Sequence, residues 1–269
     1  MSTARRLAPR TVLFLPASNP RAIEKARGLA ADMVVLDLED AVRPEDKDSA
    51  RKAAVAAAGE GFGHRLVAIR VNTVDAPEQE ADLAAVAGST VDFVIVPKVE
   101  SAVEIMSIAE ATGKPVLAMI ESPLGVLAAA EIAAVPGVAG LIAGTNDMRA
   151  SFGIPHGRTG LTLALQTVVL AARATGGWAI DGVCNTLDDD AALEAECMEG
   201  RAFGFDGKSL IHPNQIAATA RAFGPTAAEL DDARALVAAA SGGAERFRDR
   251  MIEAMHVDQA RALLERAAP

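Results

Sequence analysis

Short, almost continuously apolar segments alternate with longer amphipathic segments along most of the chain. The apolar segments are rich in β-branched residues and lack a strict alternation of polar and apolar positions, which is typical of parallel strands covered on both faces. We interpret them as eight strands, of which the last is the weakest. They occupy residues 11–17, 33–40, 65–72, 92–100, 115–122, 138–147, 178–185 and 203–211.

The segments between the predicted strands are rich in alanine and have helical spacing. Residues 19–30, 45–60 and 101–113 begin near a capping residue and end near glycine. In the third segment, Ser101 and Glu104 have the spacing of a capping box. The repeated alternation predicts a (β/α)₈ TIM barrel. An open doubly wound sheet is the competing architecture, but no G-x-G-x-x-G motif follows the first strand, which disfavours a dinucleotide-binding version.

The chain continues past the eighth predicted strand with two further helical segments, at residues 227–241 and 257–268. Closure of a barrel does not require both of them. We therefore expect this tail to pack on a neighbouring subunit or over the active-site end of the barrel. The pattern predicts a barrel domain at residues 1–223 and a C-terminal helical extension of the same domain at residues 224–269.

The composition is that of an ordinary globular protein, with 269 residues of which 51% are hydrophobic and 23% charged. The net charge of −10 disfavours binding to nucleic acid or to an anionic membrane surface. Residues 1–10 lack the apolar region of a secretory signal and no apolar run is long enough to span a bilayer, so we expect a cytoplasmic protein. Cys184 and Cys197 lack the spacing of a zinc site or a disulfide framework.

Polar side chains stand near the carboxyl end of almost every predicted strand. In a barrel these ends converge on one face, where the catalytic groups of such proteins lie. We therefore expect a strongly acidic face with a few basic side chains. Strands two to eight supply, in chain order, Asp37, Glu39, Asp40, Arg70, Asn72, Lys98, Glu100, Glu121, Asn146, Asp147, Asp181, Asn185, Asp206 and Lys208.

Several carboxylates at one face repel one another unless a cation lies between them. Oxygen ligands from one or two carboxylates, completed by water, suit Mg²⁺ better than Zn²⁺. Glu121 and Asp147 follow adjacent strands and form the natural pair, although Asp147 is also placed to cap the next helix. The planar fork of Arg70 suits a substrate carboxylate or carbonyl. Asn146 is a further candidate for substrate binding.

The three acids that follow the second predicted strand have different expected roles. Asp37 lies inside an apolar segment, so we expect it to orient another group rather than to ligate a metal. Glu39 and Asp40 are candidate catalytic residues that contact metal-bound water. The alternative is that they only anchor the loop.

Seven ordered segments cover almost the whole chain and read LFLPASNPRAIEKA, VVLDLEDAV, IRVN, IVPKVES, MIESPLGV, AGTNDM and GFDGKSLIHPNQI. They resemble the motifs of the citrate lyase beta-subunit-like family, within the HpcH/HpaI aldolase superfamily. The resemblance implies a Mg²⁺-dependent (β/α)₈ barrel that assembles as a homotrimer or hexamer. Members of the family cleave or form a carbon–carbon bond in acyl-CoA or acyl-carrier thioesters such as citryl-, malyl- or citramalyl-CoA.

The resemblance also implies roles for single residues. Glu121 of the IESP segment and Asp147 of the NDM segment match the metal ligands of the family, and Arg70 of IRVN matches its substrate arginine. Phe14 and Lys25 match positions that contact the CoA portion of the substrate. Together these positions describe a metal site with an adjoining thioester site.

One position in the C-terminal tail departs from the family. The tail of the family usually carries a Met-[Ile/Val]-Asp motif whose aspartate reaches a neighbouring subunit as an acid or base. Glu253 stands in place of that aspartate in this chain. Glu253 is either a catalytic substitute with one more methylene or an ordinary acid on the surface of a helix.

The leading hypothesis is a Mg²⁺-dependent lyase that converts a short hydroxyacyl-CoA to a 2-oxoacid and acetyl-CoA, or runs the condensation in reverse. One alternative is an acyl-CoA-binding or complex-dependent subunit with weak catalysis of its own. A second alternative is an aldolase that acts on free 2-oxoacids without CoA.

Overall fold

A computed structural model describes residues 7–155 and 157–266 of the chain. Eight parallel strands form a closed barrel in which each strand pairs with the next along the chain and the last pairs with the first. The predicted (β/α)₈ TIM barrel is confirmed. The strands are β1 (Thr11–Pro16), β2 (Met33–Asp37), β3 (Leu66–Arg70), β4 (Phe93–Val96), β5 (Val116–Ile120), β6 (Val138–Ala143), β7 (Trp178–Asp181) and β8 (Gly207–Leu210).

Each strand is shorter than its predicted segment, mainly because the polar residues at the carboxyl end leave the sheet. Helices follow the strands, and three of them lie along the predicted alanine-rich segments at residues 19–30, 45–60 and 101–113, whereas the helix that begins at Thr145 starts inside the sixth predicted strand. They are α1 (Pro20–Ala26), α2 (Lys47–Glu60), α3 (Gln79–Ala87), α4 (Ala102–Thr112), α5 (Pro123–Ala133), α6 (Thr145–Phe152), α7 (Thr162–Thr175), α8 (Asp190–Phe203) and α9 (Gln215–Phe223), with short 3₁₀ helices at Pro44–Asp46 and Thr159–Leu161.

Hydroxyl side chains cap two of these helices at the face of the barrel where the strands end. The Ser101 side chain accepts a hydrogen bond from the N–H of Val103 at the start of α4. The Ser122 side chain accepts one from the N–H of Gly125 at the start of α5. Each cap satisfies a backbone donor that the first turn of a helix leaves unpaired, and so defines where the loop after the strand ends.

Alternate residues of each strand point into the barrel, and the residues between them point towards the surrounding helices. The inward side chains fill the interior, so it is a packed core and not a channel. The rings of Phe93 and Trp178 lie 5.0 Å apart between their centroids. The buried members of this core are Val12, Met33, Val35, Ala68, Phe93, Ile95, Leu117, Met119, Ile142, Trp178 and Ile180.

The contacts divide the chain into two compact units, one of which spans Ala8–Ala220 while the other includes the chain from Arg221 onward. The second unit has a small apolar core of its own, which includes Leu236, Phe247 and Ile252. Its elements are α10 (Ala227–Ala239), the antiparallel strands β9 (Glu245–Phe247) and β10 (Arg250–Ile252), and α11 (Ala254–Arg266).

The hairpin in the second unit lies in the segment between the two predicted tail helices and was not predicted from the sequence. Of the predicted domain ranges, residues 1–6, 156 and 267–269 lie outside the described residues. Among the described residues, none of the helices combines the length and the apolar character needed to cross a membrane.

Candidate functional site

A cavity of about 420 Å³ lies at the carboxyl ends of the barrel strands. This is the face at which TIM barrels carry their active sites. The wall combines apolar side chains from several strands with carboxylates, one guanidinium and an amide. The predicted site residues in this wall are Phe14, Asp40, Arg70, Glu121, Asn146 and Asp147.

Arg70, the last residue of β3, is held in one orientation by a buried acid. Its Nε and Nη2 atoms donate to the two carboxylate oxygens of Asp37 at 2.7 and 2.6 Å, which is a bidentate ion pair. Asp37 is only 1% exposed and also accepts the N–H groups of Glu39 and Ala41. Asp37 therefore orients Arg70, and both of its carboxylate oxygens are used in this contact.

Two further contacts define the position of the Arg70 guanidinium. Nη1 lies 2.7 Å from Glu39 Oε2, an oxygen that makes no directed hydrogen bond among the described residues, so this contact is an ion pair. The guanidinium carbon lies 5.4 Å from the centroid of the Phe14 ring. Burial by itself lowers the pKa of Arg70, but the hydrogen bonds and charge of Asp37 raise it above the usual range. Arg70 is thus a fixed positive charge.

Glu121 follows β5 directly and is 6% exposed. Its Oε2 atom accepts the backbone N–H of Lys98 at 2.8 Å. Burial, with the nearby carboxylates of Glu39 and Asp147, raises the pKa of Glu121 to about 7. Gly144 packs against this side chain, because a Cβ atom at Gly144 would lie 2.6 Å from the Glu121 carboxyl carbon. Residue 144 therefore has no room for a side chain beside the Glu121 carboxylate.

Asp147 is in the first turn of α6, whose N-cap residue is Gly144. Asp147 therefore does not cap this helix, which was its alternative predicted role. Its side chain is 43% exposed and lies on the cavity wall together with Glu121. The carboxylate is available to bind a ligand.

Lys98 contacts the acids Glu39 and Asp147. The sequence suggested no role for Lys98 beyond its place after β4. Its backbone has a φ of 51°, in the left-handed region that costs a residue with a side chain about 1–3 kcal/mol. Its ammonium lies 2.8 Å from Glu39 Oε1 and 3.4 Å from Asp147 Oδ2. A lysine placed among strand-end acids was the signal that could have identified it.

The other predicted site residues, Asn146, Lys25 and Glu253, are all exposed. Asn146 is exposed, and its Oδ1 atom accepts hydrogen bonds from Asn185 at 2.6 Å and Arg149 at 2.7 Å. Lys25 is exposed on α1, outside the wall of the cavity. Glu253 belongs to the second unit, where it is exposed and directly precedes α11.

The expectation that Asp181 and Lys208 face the cavity is wrong. Lys208 is fully buried, and its ammonium lies 2.9 Å from Asp181 Oδ2 and 3.2 Å from Glu196 Oε2 on α8. Both side chains point outward from their strands because side chains alternate in direction along a strand. Ser209, one residue after Lys208, lines the cavity instead.

Asp206 and Asn72 are also elsewhere than expected. Asp206 precedes β8, so it lies at the amino end of the barrel, where it forms an ion pair with Arg173. Asn72 is a buried residue of the loop after β3 and donates through Nδ2 to Asp82 Oδ2 at 2.7 Å. The prediction for Asp206 failed because the eighth strand begins later than the sequence pattern indicated, and that for Asn72 failed because its side chain is buried against Asp82 instead of lining the cavity.

Glu121 and Asp147 are the residues that could hold a metal ion. They bring two carboxylates to one wall, and their mutual repulsion contributes to the raised pKa of Glu121. Among the described residues, no group of three or more His, Cys, Asp or Glu is arranged to hold a metal. A pair of carboxylates that leaves the other positions to water or substrate suits Mg²⁺, which keeps several waters in proteins. The residues therefore fit Mg²⁺ and do not fit a closed zinc site.

Comparison with known proteins gives matches over most of the chain. The model of the HpcH/HpaI aldolase/citrate lyase family matches residues 10–213. A (3S)-malyl-CoA thioesterase of Cereibacter sphaeroides (strain ATCC 17025) is 40% identical, covering 96% of this chain and 94% of that protein. A citrate lyase subunit beta-like protein of Deinococcus radiodurans is 37% identical, covering 96% of this chain and 97% of that protein.

Solved structures resemble the fold at comparable identity. The crystal structure of CitE from Mycobacterium tuberculosis in complex with magnesium, acetoacetate and coenzyme A has a TM-score of 0.85 and 33% identity. The match covers 98% of this chain and 99% of that chain. A second structure, RipC from Yersinia pestis, has a TM-score of 0.73 and 33% identity, covering 82% of this chain and 97% of that chain.

Proposed function

Because the chain belongs to the HpcH/HpaI aldolase/citrate lyase family, as its motifs predicted, we propose that it is a Mg²⁺-dependent lyase acting on a short hydroxyacyl-CoA thioester. The observation that carries the proposal is the pair Glu121 and Asp147 beside the fixed guanidinium of Arg70 on one cavity wall. Similar proteins named for malyl-CoA, and a structure with magnesium and coenzyme A, support this substrate class.

Glu121 and Asp147 are the proposed Mg²⁺ ligands, and Asn146 is a proposed substrate contact beside them. A bound Mg²⁺ would supply Lewis acidity, which would lower the pKa of the substrate hydroxyl. Asp40 is exposed on the cavity wall and is the proposed base that accepts the hydroxyl proton. Glu39 holds Arg70 and Lys98 in position.

Cleavage is a retro-Claisen step. When the hydroxyl loses its proton, the C–O bond becomes a carbonyl and the adjacent carbon–carbon bond breaks. Its electron pair moves to the thioester as an enolate, whose oxygen Arg70 stabilises with N–H donors held by Asp37. A proton added to the enolate carbon then completes acetyl-CoA and leaves a 2-oxoacid as the second product.

Hydrolysis of the thioester is the second candidate reaction, favoured by the 40% identity with proteins named (3S)-malyl-CoA thioesterase. Water would add to the thioester carbonyl and the CoA thiol would leave, so that the hydroxyacid stays intact. The two reactions would use the same pocket and differ in which bond breaks. Phe14 and Lys25 are proposed contacts of the CoA portion in both.

The products distinguish the two reactions. Purified protein with Mg²⁺ is incubated with malyl-, citramalyl- and citryl-CoA, and free thiol and 2-oxoacid are measured in parallel. Lyase activity releases 2-oxoacid without free thiol, whereas thioesterase activity releases thiol without 2-oxoacid. Cleavage of a free 4-hydroxy-2-oxoacid without CoA would indicate a CoA-independent aldolase. Binding of CoA without any product would favour the complex-dependent subunit.

Glu253 of a neighbouring subunit is the proposed donor of the proton to the enolate carbon. We expect Glu253→Gln to lower the rate of cleavage about 10²-fold, because a positioned general acid contributes at least that much. Glu253→Asp should retain activity, and Glu265→Gln, on the exposed end of α11, is the matched control. Full activity of Glu253→Gln would exclude this role.

The trimeric or hexameric state and the cytoplasmic location stay predictions.

The contact between Gly144 and Glu121 allows a test that keeps the Glu121 residue and changes only the position of its carboxylate. Gly144→Ala would force the Glu121 carboxylate to move, because the new Cβ would lie 2.6 Å from its carboxyl carbon. We expect turnover to fall about 10²-fold, as displacements of about 1 Å commonly cause. Gly59→Ala is the control, since nothing lies within 4 Å of its Cβ position. Unchanged turnover in Gly144→Ala would contradict the proposed role of Glu121.

A further inference from the structure

The ammonium of Lys98 lies among the carboxylates to which the proposed function assigns metal binding and proton transfer. Its Nζ atom is 2.8 Å from Glu39 Oε1, 3.4 Å from Asp147 Oδ2 and 3.7 Å from Asp40 Oδ1. A single positive charge therefore lies within 4 Å of three carboxylates, two from the loop after β2 and one from the first turn of α6. One of these carboxylates, Asp147, is a proposed Mg²⁺ ligand.

Arg70 and Lys98 differ in how far their charged groups can move. Its side chain is 11% exposed, and its guanidinium is paired with Asp37 and Glu39, which are themselves buried. The Lys98 side chain is 41% exposed and carries its charge on a flexible four-carbon stem. Lys98 can move away from Asp147 when another cation arrives, whereas Arg70 is held in place.

The backbone of Lys98 makes a separate contact. Its left-handed conformation accompanies a hydrogen bond from the Lys98 N–H to Glu121 Oε2 at 2.8 Å. One residue therefore contacts both proposed metal ligands, Glu121 through the backbone and Asp147 through the side chain. A substitution of the side chain removes the second contact and keeps the first.

We propose that Lys98 is the internal counter-ion of the metal site and limits its affinity for Mg²⁺. Its ammonium neutralises Asp147 and Glu39 while no divalent cation is bound, and it must leave Asp147 when Mg²⁺ binds. Lys98 is thus a positioning residue that keeps the acids together in the metal-free protein. The inference rests on the proposed Mg²⁺ ligands Glu121 and Asp147.

Calorimetric titration of the metal-free protein with MgCl₂ tests this inference. Lys98→Met keeps the length of the side chain and removes the charge, so we expect Mg²⁺ to bind about tenfold more tightly, because a repelling charge near the ligand oxygen is gone. Lys98→Arg should bind Mg²⁺ close to the wild-type affinity. Lys52→Met, exposed on α2, changes the net charge equally and should have no effect.

Thermal denaturation gives a second readout that does not depend on turnover. Without Mg²⁺, Lys98→Met should melt at a lower temperature than wild type, because buried Glu39 loses a partner. Added Mg²⁺ should raise its melting temperature more than that of wild type. If wild type binds Mg²⁺ and Lys98→Met binds it with the same or a weaker affinity, this inference is overturned while the proposed metal site stands. Absence of Mg²⁺ binding by wild type would overturn the proposed metal site as well.

Discussion

Replacement of Glu121 by glutamine is expected to lower the turnover of the hydroxyacyl-CoA substrate by at least about 10³-fold. Glutamine has the same shape but no charge, so one of the two anionic oxygen donors for Mg²⁺ is lost. The Lewis acidity of a metal is worth several kcal/mol in the transition state, and about 1.4 kcal/mol corresponds to a factor of ten in rate. Steady-state kinetics at saturating and at limiting Mg²⁺ measure the effect.

A folding defect can be separated from this loss of turnover. Glu121 is buried beside other carboxylates, so the neutral amide removes repulsion and should leave the metal-free protein at least as stable as wild type. The matched control is Glu131→Gln, on the exposed side of α5, which should behave as wild type. Turnover within about tenfold of wild type in Glu121→Gln would exclude Glu121 as an essential ligand.

Replacement of Arg70 by methionine is expected to lower the free energy of unfolding by about 3–5 kcal/mol. Asp37 and Glu39 are 1% and 4% exposed, and each loses its contact with the guanidinium. Breaking a buried ion pair by removing one partner leaves an uncompensated charge in the interior, which is costly. Urea denaturation followed by the fluorescence of Trp178, the single tryptophan of the chain, reports on the barrel.

Two variants distinguish charge from geometry in this prediction. Arg70→Lys keeps the charge but not the planar fork, so it should be intermediate in stability and still deficient in turnover. Arg234→Met removes an exposed ion pair with Asp231, which should change stability by less than about 1 kcal/mol. Wild-type stability of Arg70→Met would show that Asp37 and Glu39 do not depend on the guanidinium.

Several features of this protein follow from the order of residues alone. The barrel was predictable because strand and helix alternate eight times with different apolar periods, and because no G-x-G-x-x-G motif supported a dinucleotide-binding version of the competing open sheet. Glu121 and Arg70 were predictable as members of one site, because the carboxyl ends of all barrel strands meet at one face. The family was recognisable because its motifs stand at these same strand ends.

Contacts between distant residues and the direction of each side chain were decided by the tertiary structure. The ion pair of Lys98 with Glu39 joins residues 59 positions apart, and no local pattern indicates such a contact. Lys208 and Ser209 are neighbours in the chain, yet one is buried outside the barrel while the other lines the cavity. A shift of one residue in a strand reverses the side to which a side chain points, so the sequence determined which face carries the site, and the register of the closed sheet decided which polar residues belong to it.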